Sequence, residues 1–173
     1  TGDINGDNNN DLVFTAPGVS KVIVVFSSKT ITWSLNMTSP LPNSVSFTDT
    51  ISPAETFGYS VATGDINGDG FDDMFIGAPT ALSNKGRVYI VFGSASPSSL
   101  NIKAATTPDG TTWSRINGNI ANGYFGWTVG IVHVLHDIAD DLIVGAPYAN
   151  SDLGIGYLIH HSSMCQNETS DWK

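Results

Sequence analysis

Three segments of the chain repeat one pattern: TGDINGDNNNDLVFTAPG (1–18), FGYSVATGDINGDGFDDMFIGAP (57–79) and FGWTVGIVHVLHDIADDLIVGAP (125–147). The second and third align without a gap, so that Asp73 recurs as Asp141 and Ala78 as Ala146; Asp3 of the first matches Asp65 of the second. Self-similarity of this kind means that one supersecondary unit is copied and that neighbouring copies bury what each cannot bury alone. Any fold proposed for the chain has to be an array.

The content of one unit follows from its apolar runs. MFIGAP (74–79) is short, apolar and closed by Gly77 and Pro79, which marks a strand rather than a helix. A second β-rich run follows each Ala-Pro, as KVIVVF (21–26), GRVYIVFG (86–93) and GIGYLIH (154–160). A Trp-bearing element comes next, as ITWSL (31–35), TTWSRI (111–116) and TSDWK (169–173). A full unit therefore has four short strands in the order Phe-Gly strand, post-loop strand, Val/Ile strand, Trp strand, and four antiparallel strands make one blade of a β-propeller. The predicted fold is all-β, with about three such blades over 1–52, 53–120 and 121–173. The first unit lacks its Phe-Gly strand and the last stops within its Trp strand. The 18 glycines and 8 prolines supply the turns that so many short strands need.

Formal charge is −9, which repels nucleic-acid phosphates and anionic lipid. Most of the acids fall in three clusters, around Asp3, Asp7 and Asp11, around Asp65, Asp69, Asp72 and Asp73, and around Asp137, Asp140 and Asp141. Aliphatic runs such as Val22–Phe26 are far short of the ~20 residues that cross a bilayer, so no membrane insertion is expected. The single cysteine, Cys165, excludes an internal disulfide and is available to bridge to another subunit or to a part of a longer chain. Two sequons, at Asn36 and Asn167, are candidate glycosylation sites and fit an extracellular surface.

The clusters have the chemistry of hard-cation loops. Asp65, Asn67, Asp69 and Asp73 place oxygen-bearing side chains around Gly68 and Gly70, and clustered carboxylate, amide and carbonyl oxygens are what calcium takes. Asp3, Asn5, Asp7 and Asp11 repeat the set around Gly6. Gly68 and Gly6 admit the positive-φ turn that convergence requires, and Gly70 and Asn8 tolerate a similar one. An EF-hand is excluded because its twelfth position, a Glu, would fall on Ile76 or Phe14. A metal-free hairpin turn rich in Asn and Asp is the competing reading. In the third loop His133 and Leu135 replace two ligands while Asp137 and Asp141 remain, so calcium is not expected there; His133, His136 and Asp137 are the alternative, a transition-metal set.

Phe-Gly at 57–58 and 125–126, the Asp/Asn loop, and Gly-Ala-Pro at 77–79 and 145–147 recur in order, and in this the chain resembles the FG-GAP repeats of integrin α-subunit propellers. The resemblance implies calcium bound by Asp3, Asn5, Asp7, the Asn9 carbonyl and Asp11, and by Asp65, Asn67, Asp69, the Phe71 carbonyl and Asp73. It also implies an extracellular or cell-surface location. The propellers it resembles are closed rings of seven blades, whereas three units cannot close a ring. The units either belong to a longer repeat protein or are completed by other copies, as an array or filament.

Catalytic signatures are absent: Gly58-Tyr59-Ser60-Val61 is followed by Ala62 and not by the Gly of a nucleophile elbow, and there is neither a phosphate-binding loop nor an H-E-x-x-H. Phe57, Phe125, Trp33, Trp113 and Trp172, one aromatic per strand at a fixed place, are expected to pack between blades. The expected function is a non-catalytic, calcium-stabilised structural or adhesion module with a protein or glycan ligand. The alternatives are a lectin-like propeller and an accessory region of a larger hydrolase.

Overall fold

The computed structural model describes residues 1–27, 41, 43–49, 55–102, 107–134 and 138–160. Among these residues eleven strands appear in chain order: β1 (Leu12–Ala16), β2 (Lys21–Val25), β3 (Ser44–Thr48), β4 (Ser60–Gly64), β5 (Asp73–Ala78), β6 (Arg87–Val91), β7 (Leu100–Asn101), β8 (Trp113–Asn117), β9 (Thr128–Val132), β10 (Asp141–Ala146) and β11 (Ile155–Ile159). They form three small sheets, ordered β1-β2-β3-β7, β4-β5-β6-β8 and β9-β10-β11, as expected for about three propeller blades.

The second sheet follows the predicted unit strand for strand, and all of its pairings are antiparallel. Every residue of β5 is buried, which is why MFIGA reads as a continuous apolar run and not as an alternation. The reason is that this sheet is covered on both faces. Met74, Ile76, Tyr89, Val91 and Trp113 enter a core shared with Ile4, Val22, Val24 and Phe47 of the first unit. Phe75, Val88, Ile90 and Ile116 enter a second core with Leu142, Val144 and Phe125 of the third. Phe57, Phe125 and Trp113 are buried in these cores, as their fixed places in the repeat suggested, whereas Trp33 and Trp172 lie outside the described residues.

The first sheet corrects one expectation. The position beside β2 that the Trp strand was to take is held by β3, with Val22 opposite Phe47 and Val24 opposite Val45. ITWSL at 31–35 lies outside the described residues. SVSFT alternates along β3, so that Val45 and Phe47 turn to the core while the residues between them stay half-buried. β7 then pairs in parallel with β3, Leu100 opposite Phe47 and Asn101 opposite Thr48, so two residues from the second unit complete the first sheet.

Neighbouring units also meet through backbone. A short turn, α1 (Ala81–Asn84), carries left-handed angles at Leu82 and Ser83, and its end presents the Asn84 and Lys85 carbonyls to the N–H groups of Tyr124 and Phe125 at 3.0 and 3.1 Å. The next unit's Phe-Gly is docked there. The equivalent turn of the third unit, α2 (Ala149–Asp152), repeats the left-handed angles at Asn150 and Ser151.

Candidate metal centre

The first two loops share most of their hydrogen bonds. Asp65 Oδ1 accepts the N–H groups of Gly68 and Asp69 at 2.7 and 3.1 Å, and its Oδ2 accepts that of Gly70 at 2.8 Å. Asp3 in turn accepts the N–H groups of Asp7 and Asn8 at 3.0 and 2.8 Å. Asn67 Oδ1 takes the N–H of Asp69 at 3.0 Å, as Asn5 takes that of Asp7, and Asp69 Oδ1 takes that of Phe71 at 3.0 Å, as Asp7 takes that of Asn9 at 2.8 Å. Gly68 and Gly6 both sit at φ +72°, with Gly70 at +89° and Asn8 at +63°, the backbone that the sequence required. A short polar segment with this many inward-facing amides wraps its own side-chain oxygens into one turn.

The last acid of each loop is buried and ties the loop to the strands. Asp73 Oδ2 accepts the Ile66 N–H at 3.2 Å and its Oδ1 the Gly93 N–H at 2.9 Å. Asp11 does the same with Ile4 at 3.1 Å and Ser27 at 2.9 Å. Burial pushes the Asp73 carboxyl up to about 7; the two amides oppose the rise, and the charges of Asp69 and Asp65 add to it. Burial likewise raises Asp11, against its two amides and with help from Asp7 and Asp3. Each loop thus concentrates negative charge around a carboxylate that the interior disfavours.

Two acids that the motif leaves unassigned link one loop to the next. Asp72 Oδ2 accepts the Asp3 N–H at 2.8 Å while the Asp72 N–H goes to the Asp3 carbonyl at 2.9 Å. Asp140 repeats this toward Asp65, at 3.0 and 2.8 Å. Burial raises the pKa of Asp72, the Asp3 amide lowers it, and the charges of Asp140, Asp65 and Asp3 raise it further, so the stacked loops form one acidic row. The signal was present in the sequence as the pairs Asp72-Asp73 and Asp140-Asp141, where the first loop has Asn10-Asp11.

In the third loop Asp141 keeps the loop-closing bond, from the Val134 N–H at 3.3 Å, although the ligand set is lost. His133 Nδ1 lies 3.4 Å from Asp140 Oδ1. Leu135, His136 and Asp137 lie outside the described residues, as do Asn36, Cys165 and Asn167. Among the described residues no group of three or more His, Cys, Asp or Glu is arranged to hold a metal ion. What the first two loops do offer is an oxygen-only donor set on one turn: the Asp3, Asn5, Asp7 and Asp11 side chains with the Asn9 carbonyl, and Asp65, Asn67, Asp69 and Asp73 with that of Phe71. That chemistry fits calcium and disfavours softer metals.

Comparison with known proteins agrees with this anatomy. Residues 57–91 match the FG-GAP repeat family. The chain is 29% identical over 157 residues to integrin alpha-V of Gallus gallus, which takes in 87% of this chain and 14% of that protein. It is 30% identical over 161 residues to phosphatidylinositol-glycan-specific phospholipase D of Homo sapiens, 85% of this chain and 18% of the enzyme. For the Dictyostelium discoideum protein of the same name the figures are 29% over 110 residues, 59% and 12%. The chain therefore spans less than a fifth of each of these relatives, and with its repeated loops and blades it carries the FG-GAP repeat, distantly similar to the FG-GAP regions of integrin alpha subunits and of phosphatidylinositol-glycan-specific phospholipase D.

Proposed function

We propose that the chain is a non-catalytic, extracellular, calcium-stabilised structural or adhesion module. The observation that carries this reading is the row of carboxylates formed where Asp72 and Asp140 clasp the preceding loops. Calcium held by the two five-residue oxygen sets would supply the positive charge that the row lacks. The residues themselves supply the rest: Asp65 and Asp3 hold the turn closed, and Asp73 and Asp11 anchor it to the sheet. Thermal melts in calcium chloride and in excess chelator test this reading. A melting temperature several degrees higher in calcium is expected, and superimposable melts overturn the proposal.

Partners follow from the third sheet. Val134, Ile143 and Leu158 are 51%, 40% and 55% exposed, yet their counterparts Ile66, Phe75 and Ile90 in the second unit are buried beneath the third. A face of this composition suits a further FG-GAP unit, from a longer chain or from another copy. Concentration-dependent polymers in negative-stain microscopy are expected if copies supply it, and a monomer at every concentration assigns it to further repeats of one chain. Among the described residues no helix is long and apolar enough to cross a membrane.

A further inference from the structure

Phe57, Phe125 and Trp113 are buried, but a different set of aromatics gathers at the surface where the second and third units meet. Trp127 has its ring centroid 4.9 Å from Tyr59, 5.9 Å from Tyr124 and 5.7 Å from Tyr148, and Tyr124 and Tyr148 are 5.3 Å apart. Tyr59 and Tyr148 are nearly half exposed. Tyr124, Trp127 and Tyr148 line an open cleft of about 290 Å³ together with Asn122 and Asp152. The backbone beneath is held: the Trp127 N–H reaches the Tyr124 and Gly145 carbonyls at 3.1 and 3.2 Å, and Tyr124 is tied to Asn84. Neither blade packing nor the acidic loops account for so much apolar ring surface left in water.

We propose that this cleft is a carbohydrate-binding site for a single hexopyranose ring. The three cleft rings stand edge to face, at 81°, 79° and 65°, and in contact with one another, so no gap opens between them for a cation to be enclosed on several sides. What they leave is a shallow, amphipathic wall. A pyranose presents a face of polarised C–H bonds to the negative face of an aromatic ring and its hydroxyls at the edge. On the rim, the Asp152 carboxylate can accept from two hydroxyls, and the Asn122 amide, whose Oδ1 faces Asn84 Nδ2 at 3.4 Å, can donate. The volume sits at the lower end of small-molecule sites, about 300–1,000 Å³, and suits one ring rather than a chain of sugars. Rings fixed before binding lose little freedom on contact, which favours a weak ligand of this kind.

Saturation-transfer NMR on the intact chain, with the methyl glycosides of glucose, galactose, mannose and N-acetylglucosamine as probes, tests the site. Transfer to the ring C–H protons of at least one glycoside is expected, with affinity reduced about tenfold or more in Trp127→Ala, Tyr148→Ala and Asp152→Asn. Tyr148 is the most exposed ring of the cleft, so Tyr148→Ala is expected to stay folded, as a thermal melt checks, even where Trp127→Ala does not. No transfer from any of the four, transfer that survives Tyr148→Ala in the folded variant, or binding of tetramethylammonium in place of the glycosides overturns the proposal.

Discussion

Asp72 and Asp3 exchange a reciprocal pair of hydrogen bonds, the Asp3 N–H donating to the Asp72 carboxylate at 2.8 Å and the Asp72 N–H to the Asp3 carbonyl at 2.9 Å, although the two lie 69 positions apart in the chain. Asp140 and Asp65 form the same pair across the next junction. Because the two junctions are copies, substitutions at one predict the other.

Asp72→Ala removes an acceptor from a half-buried amide, so a loss of about 1–3 kcal/mol is expected, read as a lower urea midpoint at unchanged slope. Asp72→Asn keeps an uncharged acceptor and relieves repulsion from Asp65 and Asp140, and its loss should be smaller. A neutral Asp72→Ala would show that the pair does not hold the blades together.

Calcium dependence should divide between the first two loops. Asp69→Asn leaves loop one intact and is expected to cut the calcium-induced rise in melting temperature by about half, with Asp7→Asn taking the other half. The double variant should melt alike in calcium and in chelator. If it keeps the full rise, the ion acts elsewhere.

Two glycines separate close packing from open space. A Cβ on Gly77 would run into the Gly126 carbonyl oxygen and Ser60 Oγ, which joins the second unit to the third at 3.0 Å from that same oxygen. Gly77→Ala should cost about 1–3 kcal/mol by overpacking. Gly130 has nothing within 4 Å of such a Cβ and no positive φ, so Gly130→Ala should stabilise by about 0.4–1 kcal/mol. Chemical denaturation of the two variants side by side checks the contrast.

Acid should reveal the Asp109 turn. Burial raises this carboxyl, but the N–H groups of Thr112, Thr111 and Trp113, at 2.6, 2.9 and 3.1 Å, outweigh it and bring it down to about 2. A folded pKa below the unfolded value means that the stability contributed is complete above about pH 4 and is lost as pH falls through about 2. The stability gap between the wild-type chain and Asp109→Ala should therefore narrow on acidification from pH 5 to pH 2. A gap that stays constant would remove the carboxylate from the explanation.

Much of this architecture is visible in the residues before any coordinates. The Asp65 turn is legible because its bonds reach only to Gly68, Asp69 and Gly70, and β5 because an apolar run between an acid loop and Gly-Ala-Pro has few other uses. β3 was not legible. The strand expected there was ITWSL and not SVSFT, whose ladder with Val22 and Val24 exists only after β2 is in place. β7 is harder still, since two residues carry no periodicity and their parallel partner lies in another unit.

What the sequence alone determined is what closes within a few residues: the repeated unit, the four strands of its second copy, and the convergence of Asp3 through Asp11 and Asp65 through Asp73 on their own turns. Only the tertiary structure decided that Asp72 and Asp140 face the previous loop, that Phe75 is covered while Ile143 is bare, and that Tyr59, Tyr124, Trp127 and Tyr148 meet outside the core. Local hydrogen bonds and alternation are set by side-chain spacing along the backbone. Contacts between units depend on how one twisted sheet settles against the next, and no spacing within a single repeat encodes that.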